Sequence, residues 1–121
     1  MQLLEVLQDV GDAAVVVRAR GEVDTGTIEE LSVALEAAVT AAAAHRTRAL
    51  VIDLDGVTYF GSAGLNALLH CCEKGRAESV AVRVVATNAE VLRPIEVTRL
   101  NAVLPPHPTL AEALATLEDP Q

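Results

Sequence analysis

The stretch TYFGSAGLNALL, residues 58–69, sets four small residues, Gly61, Ser62, Ala63 and Gly64, directly before a leucine-rich run. Small residues allow a sharp turn and the close approach of another molecule, so the stretch predicts a turn that enters a helix at about Ala63. Just upstream, Ala49 to Leu54 (ALVIDL) is apolar without alternation until its end, the pattern of a strand covered on both faces by helices. Strand, turn and helix in that order predict an α/β fold in which this strand is central.

Working outward, residues 3–7 and 13–19 are short apolar runs separated by Gln8 to Asp12, whose Gly and Asp residues suit a turn, so the chain opens with a β-hairpin. Ile28, Leu31, Leu35, Ala38, Val39 and Ala42 recur at helical period and predict a helix over about 25–44, with Thr27 and Glu30 at capping-box spacing and Asp24 or Thr25 as other caps. Leu65, Leu68, Leu69 and Cys72 mark the buried face of the second helix, which ends near Gly75. Ser79 to Ala86 reads as a further buried strand. Thr87 and Glu90 repeat the capping spacing before a short helix that contains Pro94. Ala102 to Leu104 reads as an edge strand halted by the prolines at 105, 106 and 108. Thr109 and Glu112 cap a last helix with Leu110, Ala113, Leu114 and Leu117 on one face, and residues 118–121 fray. The order β-β-α-β-α-β-α-β-α implies a mixed sheet of four to five strands covered by about four helices.

Composition narrows the function. At 121 residues the chain fits one domain able to bury roughly two-thirds of its unfolded surface. With one Phe, one Tyr, no Trp and a net charge of −8, it offers neither stacking platforms for bases nor a basic face for phosphate backbones or anionic lipid. No apolar run approaches the ~20 residues of a membrane span and the N-terminus lacks signal-peptide features, so the expected location is the cytoplasm. Cys71 and Cys72 are neighbours on one helix, unsuited to a disulfide framework, and with His70 pointing elsewhere they do not make a metal site.

Strand carboxyl ends carry the sites of α/β sheets, and Ser62 falls at one. From spacing alone Ser62 is either an ordinary N-cap, contributing about 1 kcal/mol, or a group presented for modification, since a phosphate there meets free N–H groups at the positive end of a helix dipole. An esterase elbow, Gly-x-Ser-x-Gly, fails because Phe60 stands two places before Ser62. His45 suits a helix C-terminus, His107 lies in the proline loop, and Asp53 and Asp55 read as solvated residues flanking a strand end, so no enzyme motif emerges.

The segments RGEVDTGT (20–27), VIDLDGVTYFGSAGLNAL (51–68) and RLNAVLPPHPTLAEAL (99–114) together resemble the STAS domain family, specifically the bacterial anti-sigma factor antagonists, or anti-anti-sigma factors. The resemblance implies one STAS domain over residues 3–119 that needs no cofactor and is not an enzyme. It implies a partner switch: the unphosphorylated chain binds an anti-sigma factor that is a serine kinase and so frees a sigma factor. Phosphorylation of Ser62, with ATP and Mg²⁺ held by the kinase, undoes the complex, and a serine phosphatase restores it. The implied contact residues are Asp24, Thr25, Gly61, Ser62, Ala63, Gly64 and Asn66. A homodimer is left open, and the alternative is an unphosphorylated STAS scaffold subunit of a signalling assembly or lipid-transport complex. Two departures stand out: Gly61 replaces the Asp usual before the serine, and Arg99 replaces a common helix-ending Gly.

Overall fold

The computed structural model describes residues 4–117, so the expected domain limits at 3 and 119 and the fraying of 118–121 lie outside the described residues. In chain order the elements are β1 (Leu4–Val10), β2 (Val15–Val23), α1 (Ile28–Ala43), β3 (Ala49–Phe60), α2 (Ser62–Ala77), β4 (Ala81–Val85), α3 (Ala89–Val97), β5 (Pro106–His107) and α4 (Leu110–Leu117). The strands form one mixed sheet in sequential order, β1-β2-β3-β4-β5, with β3 at its centre. The opening hairpin is antiparallel and turns where Gly11 N–H donates to Ala14 C=O; β2 to β5 run parallel.

Each parallel pair is joined by a helix, and α1, α2 and α3 share one face, as crossovers of constant hand require when the sheet grows in one direction. That face holds the larger core. Val15, Val17, Leu50, Ile52 and Leu54 from the strands meet Leu31, Leu35 and Val39 of α1, Leu68 of α2 and Ile95 of α3. The opposite face carries Val16, Val51 and Val85 under α4, whose Ala113 is fully buried and whose Leu110, Leu114 and Leu117 pack around it. Leu50, Val51 and Ile52 are all sealed from solvent, which explains why their strand shows no alternation.

Several elements differ from their sequence expectations. β3 does not stop at Leu54 but runs six residues further, to Phe60. Its register against β2 slips twice, between Arg18 and Arg20 and again between Gly21 and Glu22, and each slip inserts one extra residue into β3. Buried positions in this half therefore fall at Leu54, Val57 and Phe60, three apart instead of two. α1 starts at Ile28, not 25, because residues 24–27 form a turn. β4 is trimmed to Ala81–Val85, with Ser79 at φ 60° turning into it.

The edge strand is also displaced. Leu100–Ala102 is a 3₁₀ turn, and the pairing with β4 is made by Pro106 and His107. Proline is tolerated there because one side of an edge strand makes no ladder bonds. Arg99 takes φ 62°, the left-handed conformation that glycine adopts most readily. Of the three capping-box spacings only the last forms its cap: Thr109 Oγ1 accepts Glu112 N–H at 3.1 Å. Thr27 and Thr87 are hydrogen-bonded elsewhere, and Asn88 stands at the N-cap of α3.

Candidate functional site at the shared end of β2 and β3

β2 and β3 end side by side, with Val23 opposite Phe60. The two loops that leave them are therefore neighbours. Gly61 N–H donates to Val23 C=O at 3.0 Å, which ties the serine turn to the start of the Asp24 loop. Gly64, buried one turn into α2, lets the helix settle on these strand ends: a Cβ there would lie 2.7 Å from Phe60 Cε1 and 2.9 Å from Val23 Cγ1.

Gly61, not Ser62, is the N-cap of α2, with φ −88° and ψ −175°, and no side chain caps the helix. Ser62 is its first residue, exposed, and its hydroxyl has no partner among the described residues. The expectation that Ser62 serves as an N-cap is thereby corrected: a residue at the first helical position points its side chain away from the N–H groups a cap would hold. Gly64 and Leu65 N–H groups close the first turn onto Gly61 C=O, and no acidic side chain occupies that turn. The helix thus presents an uncompensated positive end beside a free hydroxyl.

The Asp24 loop is rigid by construction. Asp24 Oδ1 accepts the N–H groups of Gly26 and Thr27 at 2.9 and 3.1 Å, while its carbonyl accepts Ile28 N–H at 2.9 Å. Thr27 is the one buried polar residue among those described; its hydroxyl donates to Glu22 C=O at 2.7 Å and accepts Asp24 N–H at 3.0 Å. Asp24 caps the turn through its side chain, and Thr25 is left exposed at the tip.

Ala63 and Asn66 face a groove of about 350 Å³ between α1 and α2, with Leu35, Val39 and Cys71 on its apolar side and Lys74 at the far end. The buried stripe of α2 is Gly64, Leu68, Cys71 and Gly75; Leu65 and Cys72 flank it, and Leu69, expected in the core, is exposed. Burial pushes the Cys71 thiol up to about 12, with the neighbouring Cys72 adding to the shift.

Residues once open to an enzymatic reading hold structural contacts. Asp53 and Asp55 sit within β3, not at its end: Asp53 is 3.7 Å from Arg18 Nε, and Asp55 Oδ1 accepts both the N–H and the hydroxyl of Thr87 at 2.7 and 2.9 Å. His45 Nδ1 accepts Thr47 N–H at 3.1 Å, which leaves Nε2–H to donate to Gly11 C=O at 2.8 Å. Among the described residues no group of His, Cys, Asp and Glu is placed to hold a metal ion, and no helix is long and apolar enough to cross a membrane.

Sequence reasoning overlooked Tyr59. It is 54% exposed and its ring lies against Gly61, 3.2 Å from Cε2 to the place where a Cβ would begin. Its signal was in the sequence, since it stands beside buried Phe60 and so faces the other way, but the slipped register hid the alternation.

A five-stranded mixed sheet with three helices on one face and one on the other, and a small-residue turn opening α2, define the class. The chain belongs to the STAS domain family, whose profile matches residues 4–113. The anti-sigma-F factor antagonist RsfA of Mycobacterium tuberculosis is 36% identical over 107 residues, 86% of this chain and 80% of RsfA. The crystal structure of an anti-sigma factor antagonist from Mycobacterium paratuberculosis is similar with a TM-score of 0.86 at 36% identity, over 96% of this chain and 95% of that one. The fold is shared with Bacillus SpoIIAA in its phosphorylated form, TM-score 0.68 and 16% identity, over 94% of this chain and all of that one.

Proposed function

We propose that this chain is an anti-sigma factor antagonist. In its unphosphorylated form it binds a kinase-type anti-sigma factor through Asp24, Thr25, Gly61, Ser62, Ala63, Gly64 and Asn66, and phosphorylation of Ser62 dissociates the pair. The observation that carries this reading is the setting of Ser62: an exposed hydroxyl without a partner at the first position of a 16-residue helix, beside a rigid loop. Relatives more than a third identical are named as antagonists of anti-sigma factors, which supports the same partner class here.

The chemistry follows from the geometry. A phosphate brings about −1.5 to −2 charges and three acceptor oxygens. On Ser62 it meets the positive end of α2, so the fold tolerates it, while a partner seated on the hydroxyl and the small residues meets new bulk and charge. The loss of a few kcal/mol lowers affinity by orders of magnitude without unfolding anything. In this reading the chain is a substrate and a binding partner, not a catalyst. The kinase supplies ATP and Mg²⁺, a serine phosphatase resets the switch, and the exchange takes place in the cytoplasm within one STAS domain.

Incubation with a kinase-type anti-sigma factor and ATP, followed by phosphopeptide mapping, tests the assignment. Phosphate on Ser62 is the expected result. Phosphate on Thr25 or Thr58 with Ser62 unmodified overturns the residue assignment, and a stable complex with no phosphate transfer favours the scaffold alternative.

A further inference from the structure

We propose that Tyr59 is a contact residue for the anti-sigma factor, its ring forming a wall beside Ser62 whose position is set by the absence of a side chain at residue 61. This rests on the antagonist reading above.

Three observations converge on it. The ring is 54% exposed in a chain with a single Tyr and a single Phe, and its register neighbour on β2 is the exposed Glu22, so no apolar side chain of that strand covers it. Gly61 has φ −88° and ψ −175°, extended backbone open to any residue, so the backbone does not demand glycine there. What a side chain would meet is the tyrosine: a Cβ on residue 61 would lie 3.2 Å from Cε2 and 3.3 Å from the hydroxyl oxygen, closer than ordinary contact. Glycine makes room for the ring, and the ring rests against the residue that precedes Ser62.

A protein that packs on Ser62 and on the turn at Gly61 has this exposed ring within reach. Tyrosine is well suited to such a place, because it offers a large contact area with few rotamers to freeze, and it is enriched among the residues that dominate interface energies. The partner recognised is an anti-sigma factor whose surface packs on a ring at this point.

The test is calorimetric titration of the purified anti-sigma factor with wild type, Tyr59→Phe, Tyr59→Ala, Gly61→Ala, the double variant and Ser62→Asp, each checked by circular dichroism. Expected are about a tenfold or greater loss for Tyr59→Ala, a loss within about threefold for Tyr59→Phe, and a loss for Gly61→Ala that vanishes when Tyr59 is already Ala. Wild-type affinity for a folded Tyr59→Ala, alongside a weakened Ser62→Asp, overturns the role of Tyr59 alone. Wild-type affinity for Ser62→Asp overturns the antagonist reading, and this proposal with it.

Discussion

The N–H of Gly61 donates to the carbonyl of Val23 at 3.0 Å, and through that bond the turn bearing Ser62 and the loop bearing Asp24 become one surface. The bond exists because β2 and β3 run parallel and end together, with Val23 and Phe60 in register. Gly64 completes the junction by letting α2 descend onto the same two side chains.

Two glycines of α2 separate fold from function. A Cβ at Gly64 would lie 2.7 Å from Phe60, and one at Gly75 would lie 2.7 Å from Val82 Cγ2, far along the helix. Helix propensity favours Ala over Gly by about 1 kcal/mol, whereas overpacking costs about 1–3 kcal/mol, so both Ala variants lose up to about 2 kcal/mol in urea unfolding. Only Gly64→Ala also weakens binding to the anti-sigma factor, because only that clash moves the serine turn.

Ser62→Ala leaves stability within about 0.5 kcal/mol of wild type, since its hydroxyl caps nothing. Ser62→Asp gains about 0.3–1 kcal/mol from the helix dipole. Thermal melts check both. A loss above 1 kcal/mol for Ser62→Ala would restore the capping role that the geometry denies.

Thr27→Val keeps the shape of the side chain but removes a hydroxyl that serves Glu22 C=O and Asp24 N–H at a buried position. Leaving such groups unpaired costs about 1–3 kcal/mol. The expected result is that loss in denaturant unfolding, together with faster amide exchange at Gly26 and Thr27 as the loop loosens.

Burial, with the neighbouring Cys72 adding to it, pushes the Cys71 thiol up from its ordinary 9.0 to about 12. Because the folded value is the higher, the folded state holds its proton while the unfolded state loses it, and stability falls as pH rises from about 9 toward 12. Unfolding curves between pH 8 and 11 show this slope in wild type, and Cys71→Ala removes it. Burial favours the protonated thiol of Cys71, so alkylation of the native protein at pH 8 is slow.

Much of this architecture was legible in the chain. The apolar run from Ala49 to Leu54 marked the central strand because both of its faces are covered, and the period of Leu31, Leu35 and Val39 marked α1 because only one of its faces is. What was hidden lay where tertiary contacts override local pattern. Two register slips turned the second half of β3 to a spacing of three, which concealed both its length and the outward face of Tyr59. Thr27 and Thr87 matched a capping spacing, yet Glu22 and Asp55 offered their hydroxyls other partners. Ser62 was visible as the residue at the turn, while its place one step inside the helix depended on where β3 ended.

The central claim is that one phosphate on Ser62 controls the partner complex. The most direct measurement is the affinity of the anti-sigma factor for the unmodified chain and for the same chain phosphorylated at Ser62, titrated side by side at fixed ionic strength. The account predicts a loss of about a hundredfold or more, roughly 2.7 kcal/mol, with the melting temperature of the free protein held or raised. Equal affinity for the two forms, with phosphate verified on Ser62, would contradict it.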